Sequence, residues 1–219
     1  MTTRRITAIL PSTHKIGRFS LDVDGREIGT LSVEAIERLH LAVGEILDDR
    51  AEQEVEHEGK ILRTYDRALN MLAARSRASE DLRRMLVRKG EPADCVDRAI
   101  ERLRHAGYLD DAAFAREFAR YRALGAGLSR RRVQQELGRV GVAREVSMAA
   151  IDALFHDEGV DEAASIERAA RKKLRTLTNT DTPTRKRRLY AFLARRGYDS
   201  DDISRVVRAV IAEAPDDSD

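Results

Sequence analysis

Apolar positions along the chain change period near residue 33. Ile6-Thr7-Ala8-Ile9-Leu10 is short and β-branched. Phe19, Leu21 and Val23 then alternate with polar residues, the period of a half-buried strand. Asp24-Gly25 follows as a hairpin turn signal, and Ile28, Leu31 and Val33 mark a returning strand. The segment predicts a small β-hairpin unit. Ser32 is a candidate N-cap, after which Ile36, Leu39, Val43, Ile46 and Leu47 recur at helical spacing. Residues 48–60 are nearly all polar and fit a solvated helix or a linker; a helical connector broken near Gly59 is expected. From Ile61 the helical period resumes through Leu62, Tyr65, Leu69 and Leu72.

An internal repeat organises the remainder. With Gly90, Gly141 and Gly197 in one column, Leu82, Val133 and Leu189 align upstream, as do Leu86, Leu137 and Leu193. Downstream stand Ala99, Ala150 and Val206, then Ile100, Ile151 and Val207, then Leu103, Leu154 and Val210. No gaps are needed. Each copy reads as helix, glycine turn, helix, with the Gly where a left-handed residue would end the first helix. A further helix precedes each pair, at roughly 61–75, 111–123 and 160–177. The expected fold is therefore mainly α: tandem three-helix repeats in an elongated, curved array, with a small N-terminal β-hairpin unit. The expected division is 1–60 for the hairpin and connector, 61–108, 109–158 and 159–213 for the repeats, and 214–219 for an acidic tail.

Composition sharpens this picture only through its distribution. The net charge of +2 over 219 residues says little about partners. Residues 145–167 hold seven acids and no base, whereas 168–196 hold eleven bases and one acid. Such segregation suits a polyanion-binding surface on an otherwise acidic body. The single Cys, Cys95, excludes an intrachain disulfide and fits a reducing compartment. The N-terminus has no signal-peptide run, and no stretch approaches the roughly 20 apolar residues of a membrane span. A cytoplasmic protein without membrane contact, and a monomer, is expected.

Signatures of catalysis are missing. Gly125-Ala126-Gly127 lacks the Gly-Lys-Ser/Thr ending of a P-loop. One Cys and the scattered His14, His40, His57, His105 and His156 give no zinc spacing, so no metal and no cofactor is expected. Asp110-Asp111 is the one paired carboxylate in an ordered context. It reads first as the cap of a helix starting near Asp111, with a metal-holding pair as the alternative. The expectation is a protein that is not an enzyme.

Basic clusters carry the functional signal. Arg130, Arg131 and Arg132 begin a helix after Ser129. Arg171, Lys172, Lys173 and Arg175 lie late on the first helix of the third repeat. Arg185, Lys186, Arg187 and Arg188 open the next helix, and Arg195 and Arg196 close it. Bases at a helix start oppose its dipole, so they do not serve the helix. Repeated on successive helices, they point to phosphate or acidic-protein contact. Only Tyr190 and Phe192 accompany them, which argues against a platform that stacks single-stranded bases.

Over residues 61–213 the chain resembles the RecX family of bacterial recombination regulators. The resemblance rests on Ala68-Leu69-x-x-Leu72 with Arg75 and Ser79, and on Leu82-x-x-x-Leu86-x-x-Lys89-Gly90. Its most specific part is Ala99-Ile100-x-x-Leu103-x-x-x-Gly107-Tyr108-Leu109-Asp110-Asp111-x-x-Phe114-Ala115. Gly127-x-x-Arg130-x-x-Val133-x-x-Glu136-Leu137-x-x-x-Gly141-Val142 and Arg195-Arg196-Gly197-Tyr198 resemble the second and third repeats. The resemblance implies binding in the groove of a RecA–DNA filament, with inhibition of strand exchange, ATP hydrolysis and coprotease activity. It also implies weaker contact with single- and double-stranded DNA, and it carries over no catalytic residues. Assigning the thirteen basic residues to filament and DNA contact is our own inference from their clustering. A helix-turn-helix protein acting directly on DNA is the competing reading, although its bases would mark one recognition helix.

Overall fold

Four short strands at the N-terminus form one antiparallel sheet in the computed structural model, which describes residues 4–13, 15–178 and 180–213. The strands β1 (Arg4–Pro11), β2 (Arg18–Val23), β3 (Arg26–Ser32) and β4 (Ile46–Leu47) lie in the order β3-β2-β1-β4. Asp24 and Gly25 join β2 to β3 with φ of 48° and 75°, the twisted turn expected of Asp-Gly. Ile6, Leu21, Val23 and Leu31 make the sheet's buried face.

Two local expectations need correction here. The helix after Ser32 is only α1 (Val33–Arg38). His40, at φ 51°, and Gly44 turn the chain back, so that Ile46 and Leu47 pair with β1 as a strand. Helical spacing over 36–47 was a coincidence of apolar residues: Val43 and Ile46 are exposed while Leu47 is buried. Second, the connector is not broken at Gly59. A single helix, α2 (Asp49–Ala74), runs through it. At Gly59 the helix passes beside β3, where a Cβ would meet the Thr30 carbonyl oxygen at 3.7 Å, an ordinary contact.

The chain divides into two compact units, Met1–Arg77 with Asp81–Leu109, and Ala78–Glu80 with Asp110–Asp219. In the first unit, α2 serves two neighbours. Its Asp66 accepts hydrogen bonds from Lys15 and Arg18 at 2.6 and 3.0 Å, and its Glu58 pairs with Arg38 and with Arg102 at 2.5 and 2.8 Å. Burial alone would raise the Glu58 pKa; the Arg102 and Arg38 guanidiniums hold it below the ordinary value. The later part of α2 joins α3 (Ser79–Arg88) and α4 (Ala93–His105) as the first repeat.

The second unit holds the other two repeats. They are α5 (Asp111–Arg120), α6 (Arg130–Val140) and α7 (Arg144–Asp152), then α8 (Glu162–Leu174), α9 (Thr182–Arg195) and α10 (Ser200–Ala212). Helices α5 and α7 each run on into a π turn, at Tyr121–Gly125 and Ala153–Asp157. The side chains of the repeat columns are all buried, from Leu82 and Leu86 through Val133 and Leu137 to Leu189 and Leu193. Their glycines share one conformation, with φ of 88°, 89° and 88° at Gly90, Gly141 and Gly197. Column and glycine have one cause: the first helix must stop in a left-handed residue for the second to fold its apolar face back onto it. The tail 214–219, expected to be acidic, lies outside the described residues, as does His14.

Candidate functional site

All thirteen predicted basic residues fall in the second unit, and the structure sorts them. Ser129 caps α6, its Oγ accepting from the Arg132 amide at 3.2 Å. The three arginines that follow point apart, because successive helical residues are about 100° from one another. Arg130 pairs with Asp152, stacks over Phe155 at 5.4 Å and gives its amide to Glu162 at 3.0 Å. Arg132 pairs with Glu136, which Arg122 shares. Arg131 is exposed and has no ion-pair partner among the described residues.

The third repeat shows the same sorting. Arg171 is held by Glu213 at 2.6 Å, and Lys173 lies over Phe192 at 5.7 Å. Arg185 is half-buried and has an interaction of its own. Arg187 is exposed, with Asp181 in electrostatic reach. Lys172, Arg175, Lys186, Arg188 and Arg195 are exposed and lack ion-pair partners among the described residues. Asp181 caps α9, accepting from the Thr184 amide at 3.1 Å. Along α9, Arg195 stands about 10 Å beyond Arg188, at ~1.5 Å per residue.

Arg196 has a different role. Its guanidinium lies 3.6 Å from the Phe192 ring centre, and its Nε donates to the Ala126 carbonyl at 3.0 Å. Its own carbonyl accepts from the Ser129 amide at 3.0 Å. Burial pulls its pKa below the ordinary arginine value. Two residues on, the buried Tyr198 donates its hydroxyl to the Gly127 carbonyl at 3.2 Å. Arg196, Gly197 and Tyr198 thus seat the third repeat on the loop that precedes α6. The sequence offered one sign of this, an aromatic directly after the repeat glycine, and its long-range partners were invisible.

Tyr198 carries a pH signature. Burial, with Glu162 nearby, pushes its phenol from 10.0 up to about 12. A raised folded pKa means that the neutral phenol is favoured by folding. That stability is complete below about pH 10 and is lost as pH rises through about 12. Tyr198→Phe is expected to cost about 1 kcal/mol at neutral pH. In urea melts from pH 8 upward, it should also remove part of the alkaline decline.

The paired carboxylates are occupied by backbone. Asp110 Oδ1 accepts from the Ala112 and Ala113 amides at 2.8 and 2.9 Å, capping α5, and these bonds lower its pKa. Asp111 Oδ1 accepts from the Ser79 amide at 2.7 Å. Elsewhere, in the first unit, His57, Asp94 and Cys95 come together from α2 and α4, and their ligand atoms lie within 4.8 Å of one another.

Three-helix repeats of this pattern match known family models. Residues 65–103, 110–151 and 161–207 match the first, second and third three-helix domains of RecX. The chain belongs to the RecX family. It is 35% identical to the regulatory protein RecX of Pelodictyon phaeoclathratiforme over 150 residues, covering 68% of this chain and 90% of that protein. It is 39% identical to the regulatory protein RecX of Mycobacterium ulcerans, covering 68% and 84% respectively. A crystal structure of a regulatory protein RecX shares the fold with a TM-score of 0.74 at 20% identity, over 96% of this chain and 100% of that one. RecX from Lactobacillus salivarius aligns with a TM-score of 0.54 at 16% identity, over 69% of this chain and 96% of the other. The broader of these fold matches extends well into the N-terminal sheet, whereas the family models begin at residue 65. Among the described residues no helix is long and apolar enough to cross a membrane.

Proposed function

We propose that this RecX protein regulates RecA by binding the RecA–DNA filament and inhibiting ATP hydrolysis, strand exchange and coprotease activity. It acts as a monomer through the second unit. The observation that carries the reading is the set of exposed cations without ion-pair partners on α6, α8 and α9: Arg131, Lys172, Arg175, Lys186, Arg188 and Arg195. Internal carboxylates already neutralise Arg130, Arg132 and Arg171, so their neighbours are the charges left for an external anion. Spread over three helices of two packed repeats, these cations suit a broad surface of phosphates and acidic side chains. They suit a single recognition helix in a major groove less well.

RecA-catalysed ATP hydrolysis on single-stranded DNA tests the proposal, with this protein titrated in well below the RecA concentration. Hydrolysis is expected to fall, and a substoichiometric effect would mean that the protein acts on filament ends or on filament stability. Unchanged hydrolysis, with DNA still shifted in a gel, would replace this reading with direct DNA binding.

A further inference from the structure

We propose that the first unit holds a zinc ion between α2 and α4, on His57 Nδ1, Cys95 Sγ and Asp94 Oδ2, with water in the fourth position. His57 stands 37 and 38 positions before Asp94 and Cys95, so no sequence spacing announces the three together. Folding brings Nδ1 to 3.9 Å from Sγ and 3.7 Å from Oδ2. A tetrahedral zinc with ordinary bond lengths requires about 3.6 Å between sulfur and nitrogen and about 3.4 Å between nitrogen and oxygen. Closing these two edges by about 0.3 Å, and bringing the carboxylate oxygen from within 4.8 Å of the sulfur to about 3.6 Å, completes the site, and rotations of the exposed Asp94 and half-exposed His57 side chains supply both.

The donor set chooses the metal. A thiolate and an imidazole select zinc over magnesium or calcium, which demand oxygen. Cys95 is 1% exposed, whereas the His57 and Asp94 side chains are 45% and 67% exposed. The sulfur is thus shielded while water and the ion reach the open side. The first turn of α4 favours the two anionic ligands, since both lie among its free amides. Lys60, Arg63 and Glu91 face the same place. Lys60 is tied to Glu56 at 2.8 Å. Glu91 is committed to Thr64 and Arg67 at 2.7 and 2.6 Å, which keeps it from the fourth position. Binding displaces the thiol proton to solvent and forms the sulfur–zinc bond. Its effect is to clamp the helix that carries the sheet onto the first repeat. This inference is independent of the filament reading.

The test uses the full chain, reduced and stripped with a chelator, titrated with zinc alone by calorimetry and with cobalt alone by absorption. One equivalent of zinc should bind and raise the melting temperature. Cobalt should give a tetrahedral spectrum with a thiolate charge-transfer band. Cys95→Ser should abolish that band, and His57→Ala and Asp94→Asn should each weaken zinc at least about tenfold. Both of the latter side chains are exposed, so these variants keep the fold. The proposal is overturned if wild type binds no zinc, if both exposed-ligand variants bind it undiminished, or if the cobalt spectrum is octahedral without sulfur.

Discussion

Gly197→Ala should destabilise the second unit by about 3 kcal/mol, while Gly90→Ala, at the same column of the first repeat, should cost only about 1 to 2 kcal/mol. Both glycines have φ of 88°, so both variants pay the left-handed penalty of an L residue. They differ in what surrounds them. A Cβ at Gly90 meets nothing within 4 Å. At Gly197 it would lie 2.6 Å from the Arg132 Cβ and 2.7 Å from the Ser129 Oγ. Neither is the free end of a flexible side chain: one is a Cβ fixed to α6, and the other caps that helix. Relief requires the third repeat to back away, which strains the bonds from Ser129, Arg196 and Tyr198 across the same seam. Amide exchange would read the loss locally, in α6 and α9 for one variant and in α3 and α4 for the other. Equal losses would mean that the seam is looser than its geometry.

Replacing Arg131, Lys172, Arg175, Lys186, Arg188 and Arg195 together by Gln is expected to weaken binding to a RecA–DNA filament about 10³-fold at low salt. The log–log salt dependence should flatten by about five units, close to one unit for each phosphate contact removed. These side chains are exposed and lack internal ion pairs, so their removal should leave the melting temperature nearly unchanged. The internal comparison is Arg196→Gln. Its head stacks on Phe192 and bonds the Ala126 carbonyl, so stability should fall while the salt slope stays near wild type. Fluorescence anisotropy of labelled DNA in the filament, across a salt series, measures both. An unchanged slope in the sixfold variant would remove these cations from the interface.

The two comparisons share one lesson about neighbours in sequence. Arg130, Arg131 and Arg132 are consecutive and identical, yet one pairs with Asp152, one is exposed without such a partner, and one pairs with Glu136. Arg195 and Arg196 differ in the same way. A charge run states how much charge a segment has; the partners that cancel it come from one turn along the helix, as for Arg132, or from elsewhere in the chain, as for Arg130.

What could be read from sequence was whatever is settled within one or two turns of backbone. Apolar spacing about Gly90, Gly141 and Gly197 placed the buried faces of three helix pairs, because a helix has one period and a left-handed stop has one preferred residue. Ser32 and Asp110 could be read as caps, and Asp24-Gly25 as a hairpin turn, for the same local reason. The strand at Ile46–Leu47 could not, since only pairing with β1 makes it one. Nor could the continuity of α2 through Gly59, where β3 packs alongside. Tertiary structure alone joined His57 to Asp94 and Cys95, seated Tyr198 on Gly127, and separated the cations that remain available from those already spent. Arg132–Glu136 is a local i,i+4 pair, whereas the His57–Cys95, Tyr198–Gly127 and Arg130–Asp152 contacts join residues 22 or more positions apart. Hydrophobic burial sets such contacts by bringing whole helices together, and no local pattern encodes which side chains then meet.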